Sequence, residues 1–552
     1  MKPWEKLREI LREEGGKALI IPHADEWQNE YLPPFAERLA AATGFTGSAG
    51  CAVIGLEKAV LLTDGRYQLQ AKDQVDLDFF DIAHSGHISL IDWIEENIQG
   101  EGFVFIDPKC HSVREFESLS KLNVNFTCDN WVDRIWEEKP TFLPSTPFDM
   151  DPRYIDVSFQ DKKRLILRKM TTDFLIITSP ESLCWLTNQR GSDIPHTPVF
   201  LGFGILSLQG EFKVFSLASL EDVLTPIRGK KVSIDPSRCS LWIRQILEMG
   251  NNEILHQEDL CLLPKACKTP SELDGMRDAH KADAIAMIEF LALLEQEIKT
   301  KSLTEIESSD LLLSHRKGQP SFLDLSFATI SGADENGAII HYKVNPKTCG
   351  TITKDSIYLL DSGGQYTSGT TDITRTMAFK EDVALEIKDA YTAVLKGVIA
   401  LSRAKFPKGV TGHRLDTLAR YHLWQAGLDY DHGTGHGVGC VLSVHEGPQS
   451  ISSRHNPVPL MEGMVVSIEP GYYKPGAFGI RIENLAIVVA SLEPGYLKFE
   501  TLTLVPINQK LINFDTLETA EKEWLKAYHE RIIKEIAPHL SDMGKTFLAD
   551  YV

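Results

Sequence analysis

YLLDSGGQYTSGTTDITRT, residues 358–376, places Asp361 at the end of an apolar strand-like run and Asp372 beside a second short strand. A turn rich in Gly, Ser and Thr separates them. If the two strands pair as a hairpin, both carboxylates can meet. Hard oxygen donors of this kind suit Mn or Mg better than a thiolate-loving metal. An Asp in such a turn has an ordinary alternative role, which is to cap or bend the chain.

Two further stretches lie downstream. HGTGHGVGCVLSVHEGP, residues 432–448, sets His432, His436 and His445 among glycines, which let backbone turn sharply and approach closely. A lone histidine there would be a structural residue, but three in one strand-flanked loop point to metal ligation or acid–base work. VVSIEPGYYKPGAFGIRIENLAIV, residues 465–488, ends one apolar strand at Glu469 and puts Glu483 into the alternation of Ile480, Ile482 and Leu485. A carboxylate in a buried strand needs a partner. Arg481 sits two residues away, on the same strand face, so a structural ion pair with Glu483 is the alternative to a ligand role.

Together these stretches supply four carboxylates and one imidazole. Four negative charges in one pocket require cations. Two divalent metals roughly 3.5–4 Å apart, with a bridging carboxylate and a hydroxide between them, would balance the charge and polarise a carbonyl. Hydrolysis of an amide or ester follows.

Outward from this region, the chain of 552 residues is long enough for about three domains. KALIIP, GSAGCAVIG and KAVLLTDGRY read as strands of a first α/β unit. Residues 136–152 are Pro-rich and aperiodic, a linker signal. DFLIITSP, GFGILSL and FKVFSL then echo the first unit in order and spacing, predicting a duplicated α/β domain. A long helix begins at TPSELDGMRDAH, with Ser271 as N-cap and Met276, Ala279, Ala282, Ile285, Ile288, Phe290 and Leu293 at helical spacing. Short strands between Gly-rich turns follow from Phe327 to about Pro506, interrupted by helices near 383–402 and 411–426. One amphipathic helix, TLETAEKEWLKAYHERIIKEIAPHL, closes the chain. The boundaries expected are 1–145, 146–267 and 268–552.

A net charge of -20 argues against a nucleic-acid surface. The N-terminus is a charged amphipathic helix without an apolar signal core, and no run is long enough to span a bilayer. Nine scattered cysteines without a C-x-x-C pair read as reduced thiols of a cytoplasmic protein.

The order Asp361, Asp372, His436, Glu469, Glu483 resembles the pita-bread metallopeptidases: methionine aminopeptidase, prolidase and aminopeptidase P. GAIIHY at 337–342, HGTGHGVG, VHEGP, EPGYY and GIRIEN are similar to aminopeptidase P. TGFTGSAG, LLTDGRY, WLTNQRGSDIPHTPVF, TPSELDGMRDAH and FETLTLVPI resemble its long three-domain cytosolic form, and the likeness spans nearly the whole chain. SIEPGYY departs slightly, since Ser467-Ile468 precede the glutamate where relatives often carry other small or polar residues.

The resemblance implies two creatinase/prolidase-type N-terminal α/β domains before a pita-bread catalytic domain. It implies that Asp361 and Asp372 hold one metal, that Asp372 and Glu483 bridge to the other, and that His436 and Glu469 complete the second site. Glu469 would also be the general base. His341 and His445 would position the scissile carbonyl and stabilise the oxyanion. His432 and Arg481 would line the pocket for the penultimate proline, and Arg66 would reach the active site of a neighbouring subunit; a solvent-facing turn arginine is its alternative. The family metal is Mn2+, while the donors permit Co, Fe or Zn. The implied substrates are peptides with proline second, and the implied assembly is a homodimer. An Xaa-Pro bond lacks an N–H and its ring fixes φ, so it needs a dedicated pocket. Competing readings are an Xaa-Pro dipeptidase, a non-catalytic peptide- or protein-binding pita-bread module, and a metal-free hydrolase resembling creatinase.

Overall fold

The computed structural model describes residues 1–550. The chain forms two compact units, Met1–Asp149 with Val157–Leu262, and Met150–Asp156 with Leu263–Val552.

The first unit contains two related sheets. β1 (Gly16–Pro22), β2 (Cys51–Gly55), β3 (Ala59–Thr63), β4 (Phe80–His84), β5 (Phe103–Ile106) and β6 (Val124–Phe126) lie in the order β4-β3-β2-β1-β5-β6. Successive residues of these strands face opposite sides. Leu19, Ile21, Ala52, Ile54 and Leu61 enter one core, while Ala18, Ile20, Val53, Val60 and Leu62 enter the other. Burial on both faces is why the strands read as unbroken apolar runs.

Near the end of the linker, β7 (Phe148–Asp149) pairs with β9 (Gln189–Arg190), a short ladder that composition did not signal. β8 (Phe174–Ile177), β10 (Phe203–Ser207), β11 (Phe212–Phe215), β12 (Lys231–Ile234) and β13 (Glu253–His256) form the second sheet, in the order β11-β10-β8-β12-β13. In both sheets the first strand meets an antiparallel pair on one side and two parallel strands on the other. The duplication expected from the order of elements is therefore present, with β4 as the extra edge of the first copy.

The second unit is a mixed α+β domain of the pita-bread type. Its long helix, Pro270–Ile298, starts two residues earlier than expected. Thr269 is the N-cap and forms a capping box with Glu272, with Pro270 at the first helical position. Ser271 instead binds the carboxylate of Asp156 through its N–H and hydroxyl, both at 2.7 Å. Met276, Ala279, Ile288 and Phe290 are buried as expected, but Ala282, Ile285 and Leu293 are only half-buried. Ala284, Met287, Leu291 and Leu294 are buried too, because the helix packs more than one side against the core.

Strands Ile330–Ala333, Ile357–Ser362 and Ile373–Ala378 form an antiparallel sheet with Ile357–Ser362 in the middle. A six-stranded sheet includes Gly435–Gly437, Glu446–Ile451, Val465–Ile468 and Asn484–Ala490. Gly471–Lys474 and Phe478–Arg481 make a separate two-stranded ribbon. Helices Leu385–Ser402 and Gly412–Gln425 match the expectation, whereas Glu305–Lys317 is a further helix. The closing helix ends at Ile536 and is followed by a second, Asp542–Ala549, because Pro538 removes an N–H donor and breaks the first. Among the described residues, no helix is long and apolar enough to cross a membrane.

Candidate metal centre

The strands that carry Asp361 and lead out of Asp372 pair as the hairpin reading requires. Ile357–Ser362 and Ile373–Ala378 pair in the register Asp361↔Thr374 and Ser362↔Ile373, so Asp372 stands at the mouth of the ladder beside Asp361. Both aspartates are buried. His436 enters from Gly435–Gly437, a strand so crowded that a Cβ at Gly435 would lie 2.0 Å from the Ser467 carbonyl. That contact draws His436 toward the end of Val465–Ile468, where Glu469 follows. The imidazole Nε2 lies 3.6 Å from Asp372 and 3.4 Å from Glu469. Ser467, the departure in the sequence, joins them: its hydroxyl accepts from the His436 N–H at 2.9 Å and donates to Glu469 Oε1 at 3.0 Å.

Glu483 sits in the break between Phe478–Arg481 and Asn484–Ala490, not within a continuous strand. Its side chain accepts from the Thr374 hydroxyl at 2.9 Å, and its main-chain N–H donates to the Thr374 carbonyl at 3.1 Å. The suggested Glu483–Arg481 ion pair does not form. Arg481 instead donates to Asp361 Oδ2 at 2.6 Å, to the Tyr473 hydroxyl at 2.7 Å and to the Thr374 hydroxyl at 3.1 Å. The ribbon that carries Arg481 turns it away from its sequence neighbour and toward a carboxylate on another sheet.

The charge is poorly balanced by protein alone. Burial pushes Glu483 well above the usual carboxylate range, reinforced by Asp372, Glu469 and Asp361. Burial lifts Asp372 to about 6 against the opposing hydrogen bond from His436. Burial works against a charged His436, yet its bond to Asp372 and the nearby Glu469 raise it to about 9. Asp361 Oδ1 and Glu483 Oε1 are buried without a hydrogen-bond partner among the described residues. Buried oxygens left bare and carboxylates driven toward protonation both call for cations. Donor atoms of Asp372, His436 and Glu483 lie within 4.8 Å of one another, a span one ion can bridge. Hard oxygens with one imidazole fit first-row divalent metals, so the residues present suit such ions.

The remaining candidates lie around or away from this cluster. The His445 ring packs edge-on against His436, with centroids 4.5 Å apart. His432 Nε2 is 2.9 Å from the Tyr473 hydroxyl, which links it through Tyr473 to Arg481. His341 lies half-buried on the segment after the short helix Asp334–Ala338. Arg66 belongs to the first unit, where it makes a two-pronged bond with Asp64 at 2.9 and 2.7 Å. Several contributors escaped sequence reading. Thr374 lies two residues after Asp372, and that alternation was its only signal. Tyr473 lay unread inside EPGYY. Glu446, beside His445, is buried with Lys265 and Lys268; the Lys265 contact is 2.6 Å, and no sequence spacing links these residues. None of the nine cysteines forms a disulfide.

Family models and known proteins match the chain along nearly its whole length. Residues 274–490 match the model of metallopeptidase family M24 and residues 495–551 that of the C-terminal region of peptidase M24. Residues 3–135 and 138–272 match two models of the creatinase/prolidase N-terminal domain. Xaa-Pro aminopeptidase 1 of Dictyostelium discoideum is 37% identical over 97% of this chain and 93% of its own length. Aminopeptidase P2 of Arabidopsis thaliana is 38% identical over 95% of this chain and 84% of its own. The crystal structure of the X-prolyl aminopeptidase from Caenorhabditis elegans, a cytosolic enzyme with a di-nuclear active site, superposes with a TM-score of 0.94 at 31% identity, covering 100% of this chain and 99% of that one. The chain therefore belongs to metallopeptidase family M24, together with the Xaa-Pro aminopeptidases it matches.

Proposed function

We propose that this chain is a metallo-aminopeptidase that releases the N-terminal residue from peptides with proline in second position. The observation that carries the proposal is the convergence of Asp361, Asp372, His436, Glu469 and Glu483 on one buried, cation-demanding pocket. Asp361 and Asp372 would hold one divalent metal, Asp372 and Glu483 would be shared with a second, and His436 and Glu469 would complete it. Bound there, the pair would lower the pKa of water and polarise a carbonyl. The donor set suits Mn2+ and also admits Co, Fe or Zn.

The chain's own groups do the rest. Glu469 takes and returns the proton of the attacking water, and the Ser467 hydroxyl fixes which of its oxygens stays available. His445, packed on His436, and His341 hold the scissile carbonyl and stabilise its developing negative charge. Arg481, Tyr473 and His432 form one bonded wall, which we assign to the penultimate proline. Arg481 also neutralises part of Asp361, near where a free amino terminus would sit. Arg66 is our candidate for a contact with the active site of a neighbouring subunit in a homodimer. Helix Gly412–Gln425 exposes Leu418, Tyr421 and Trp424, an apolar surface that supports self-association. We read the chain as cytoplasmic and as divided at 1–145, 146–267 and 268–552.

Hydrolysis of an Xaa-Pro-Pro tripeptide tests the reading. Release of the first residue alone, by protein carrying about two metal ions per chain, is the expected result. Activity confined to dipeptides would favour the Xaa-Pro dipeptidase reading. An inert protein after manganese reconstitution would favour a binding module.

A further inference from the structure

Glu305 opens helix Glu305–Lys317 and is completely buried, with no basic side chain bonded to it among the described residues. Its carboxylate is occupied entirely by one loop. Oε1 accepts from the Ala333 N–H at 2.7 Å and from the Asn336 amide at 3.0 Å. Oε2 accepts from the Tyr342 hydroxyl at 2.9 Å and from the Gly350 N–H at 2.6 Å. Its own N–H donates to the Gly350 carbonyl at 3.2 Å, and its carbonyl accepts from the Ser331 hydroxyl at 2.8 Å. Thus the first residue, an early turn, the middle and the last residue of the segment 333–350 all end on a single side chain. His341 lies next to the Tyr342 anchor.

The anchored loop borders the metal centre. Ile330–Ala333, which leads into it, pairs with Ile357–Ser362 in the register Ile330↔Asp361. Gly337 packs so tightly on the ribbon bearing Arg481 that a Cβ at Gly479 would lie 1.7 Å from the Gly337 carbonyl. Between 339 and 350 the loop has no strand or helix to hold it. A carboxylate in the first turn of a helix is favourably placed against the helix dipole, and its two oxygens can accept several N–H and O–H bonds at once.

We propose that Glu305 is a positioning residue for catalysis, gathering the 333–350 loop so that His341 is presented to the substrate. This rests on the role proposed above for His341. Glu305 touches no substrate itself. Gly350 has no side chain because a Cβ there would stand 2.8 Å from Glu305 Oε1.

The test uses full-length, manganese-loaded protein. Hydrogen–deuterium exchange over 334–350 is compared in wild type, Glu305→Gln and Tyr342→Phe. Faster exchange in that segment, with the strands bearing Asp361 and Asp372 unchanged, is expected; unchanged exchange in both variants overturns the proposal. Steady-state kinetics on an Xaa-Pro peptide are then measured for Glu305→Ala, His341→Ala and the double variant. We expect each single variant to lose about 10²-fold in kcat/KM, the scale of a displaced catalytic group, with metal content retained. The double variant should be no worse than the poorer single one. A double loss equal to the product of the single losses overturns the proposal. If Glu305→Ala does not fold, Glu305→Gln and Tyr342→Phe serve in the same cycle. A silent His341→Ala variant sinks the role of His341 and with it the presentation of that residue, while exchange still decides whether Glu305 gathers the loop.

Discussion

Replacing Arg481 by Met should destabilise the metal-free protein far more than the metal-loaded one. Arg481 is buried, and its guanidinium bonds Asp361 at 2.6 Å, Tyr473 at 2.7 Å and Thr374 at 3.1 Å. Removing one partner of a buried ion pair typically costs about 3–5 kcal/mol, because the other charge is left uncompensated. Roughly 4 kcal/mol, the middle of that range, is the loss expected without metal. With metal bound, Asp361 keeps a cation. Only the bonds to Tyr473 and Thr374 are then lost, at about 1 kcal/mol each.

The assay is urea unfolding of wild type and Arg481→Met, each after exhaustive chelation and after saturation with Mn2+. The predicted difference of about 2 kcal/mol between the two conditions, set by the two estimates above, corresponds to Arg481→Met binding metal about 30-fold tighter than wild type. Equal destabilisation in both conditions would refute the reasoning. It would mean that Asp361 gains nothing from a bound ion and lies outside the metal shell, leaving Arg481 as its only counter-charge.

Glu469→Gln should lower kcat about 10²–10⁴-fold, the usual worth of a general base, while the unfolding midpoint stays near wild type because Ser467 can still bond the amide oxygen; a fall in stability with kcat preserved would reverse the assignment. His280 is buried on the long helix with Nδ1 on the Met276 carbonyl, and burial lowers its pKa from 6.5 to about 4. The unfolded state therefore takes up the proton first, so stability contributed by the neutral ring is full above pH 6.5, declines as pH falls, and is lost below about 4, amounting to about 3 kcal/mol. Urea unfolding in chelator at pH 7 and pH 4.5 checks this, and His280→Gln should flatten the difference.

Much of the fold was legible because its signals are local. KALIIP, CAVIG and AVLLT each hold an unbroken apolar run because both faces of their sheet are covered, and the second set repeats their order. The misplaced N-cap at Ser271 has a local cause as well: Pro270 occupies the first helical position, so the cap is the residue before it. Helix Glu305–Lys317 was harder to see, because its buried residues include Glu305, Ser308 and Arg316 beside the single apolar Leu312. A helix that buries polar groups against polar partners lacks the apolar stripe on which a periodicity argument depends.

The candidate site divides along the same line. Asp361 and Asp372 were readable as a pair because one hairpin joins them, and their meeting needs only the register of two adjacent strands. The partner of Arg481 was not readable. Face-sharing pointed to Glu483, two residues away, whereas the structure pairs it with Asp361, 120 residues distant in sequence. Strand alternation says which side a residue faces, but it cannot say that a ribbon ends between 481 and 484 and that Glu483 then leaves the ladder toward Thr374. The same limit hid Glu305. Its four donors span residues 333 to 350 and have no common spacing, so only the folded chain reveals that they share an acceptor. Residues that bind a cation advertise themselves by chemical type, even when scattered. Residues that hold those ligands and their loops in place are ordinary Ser, Thr, Tyr and Glu, and their function lies wholly in where the fold puts them.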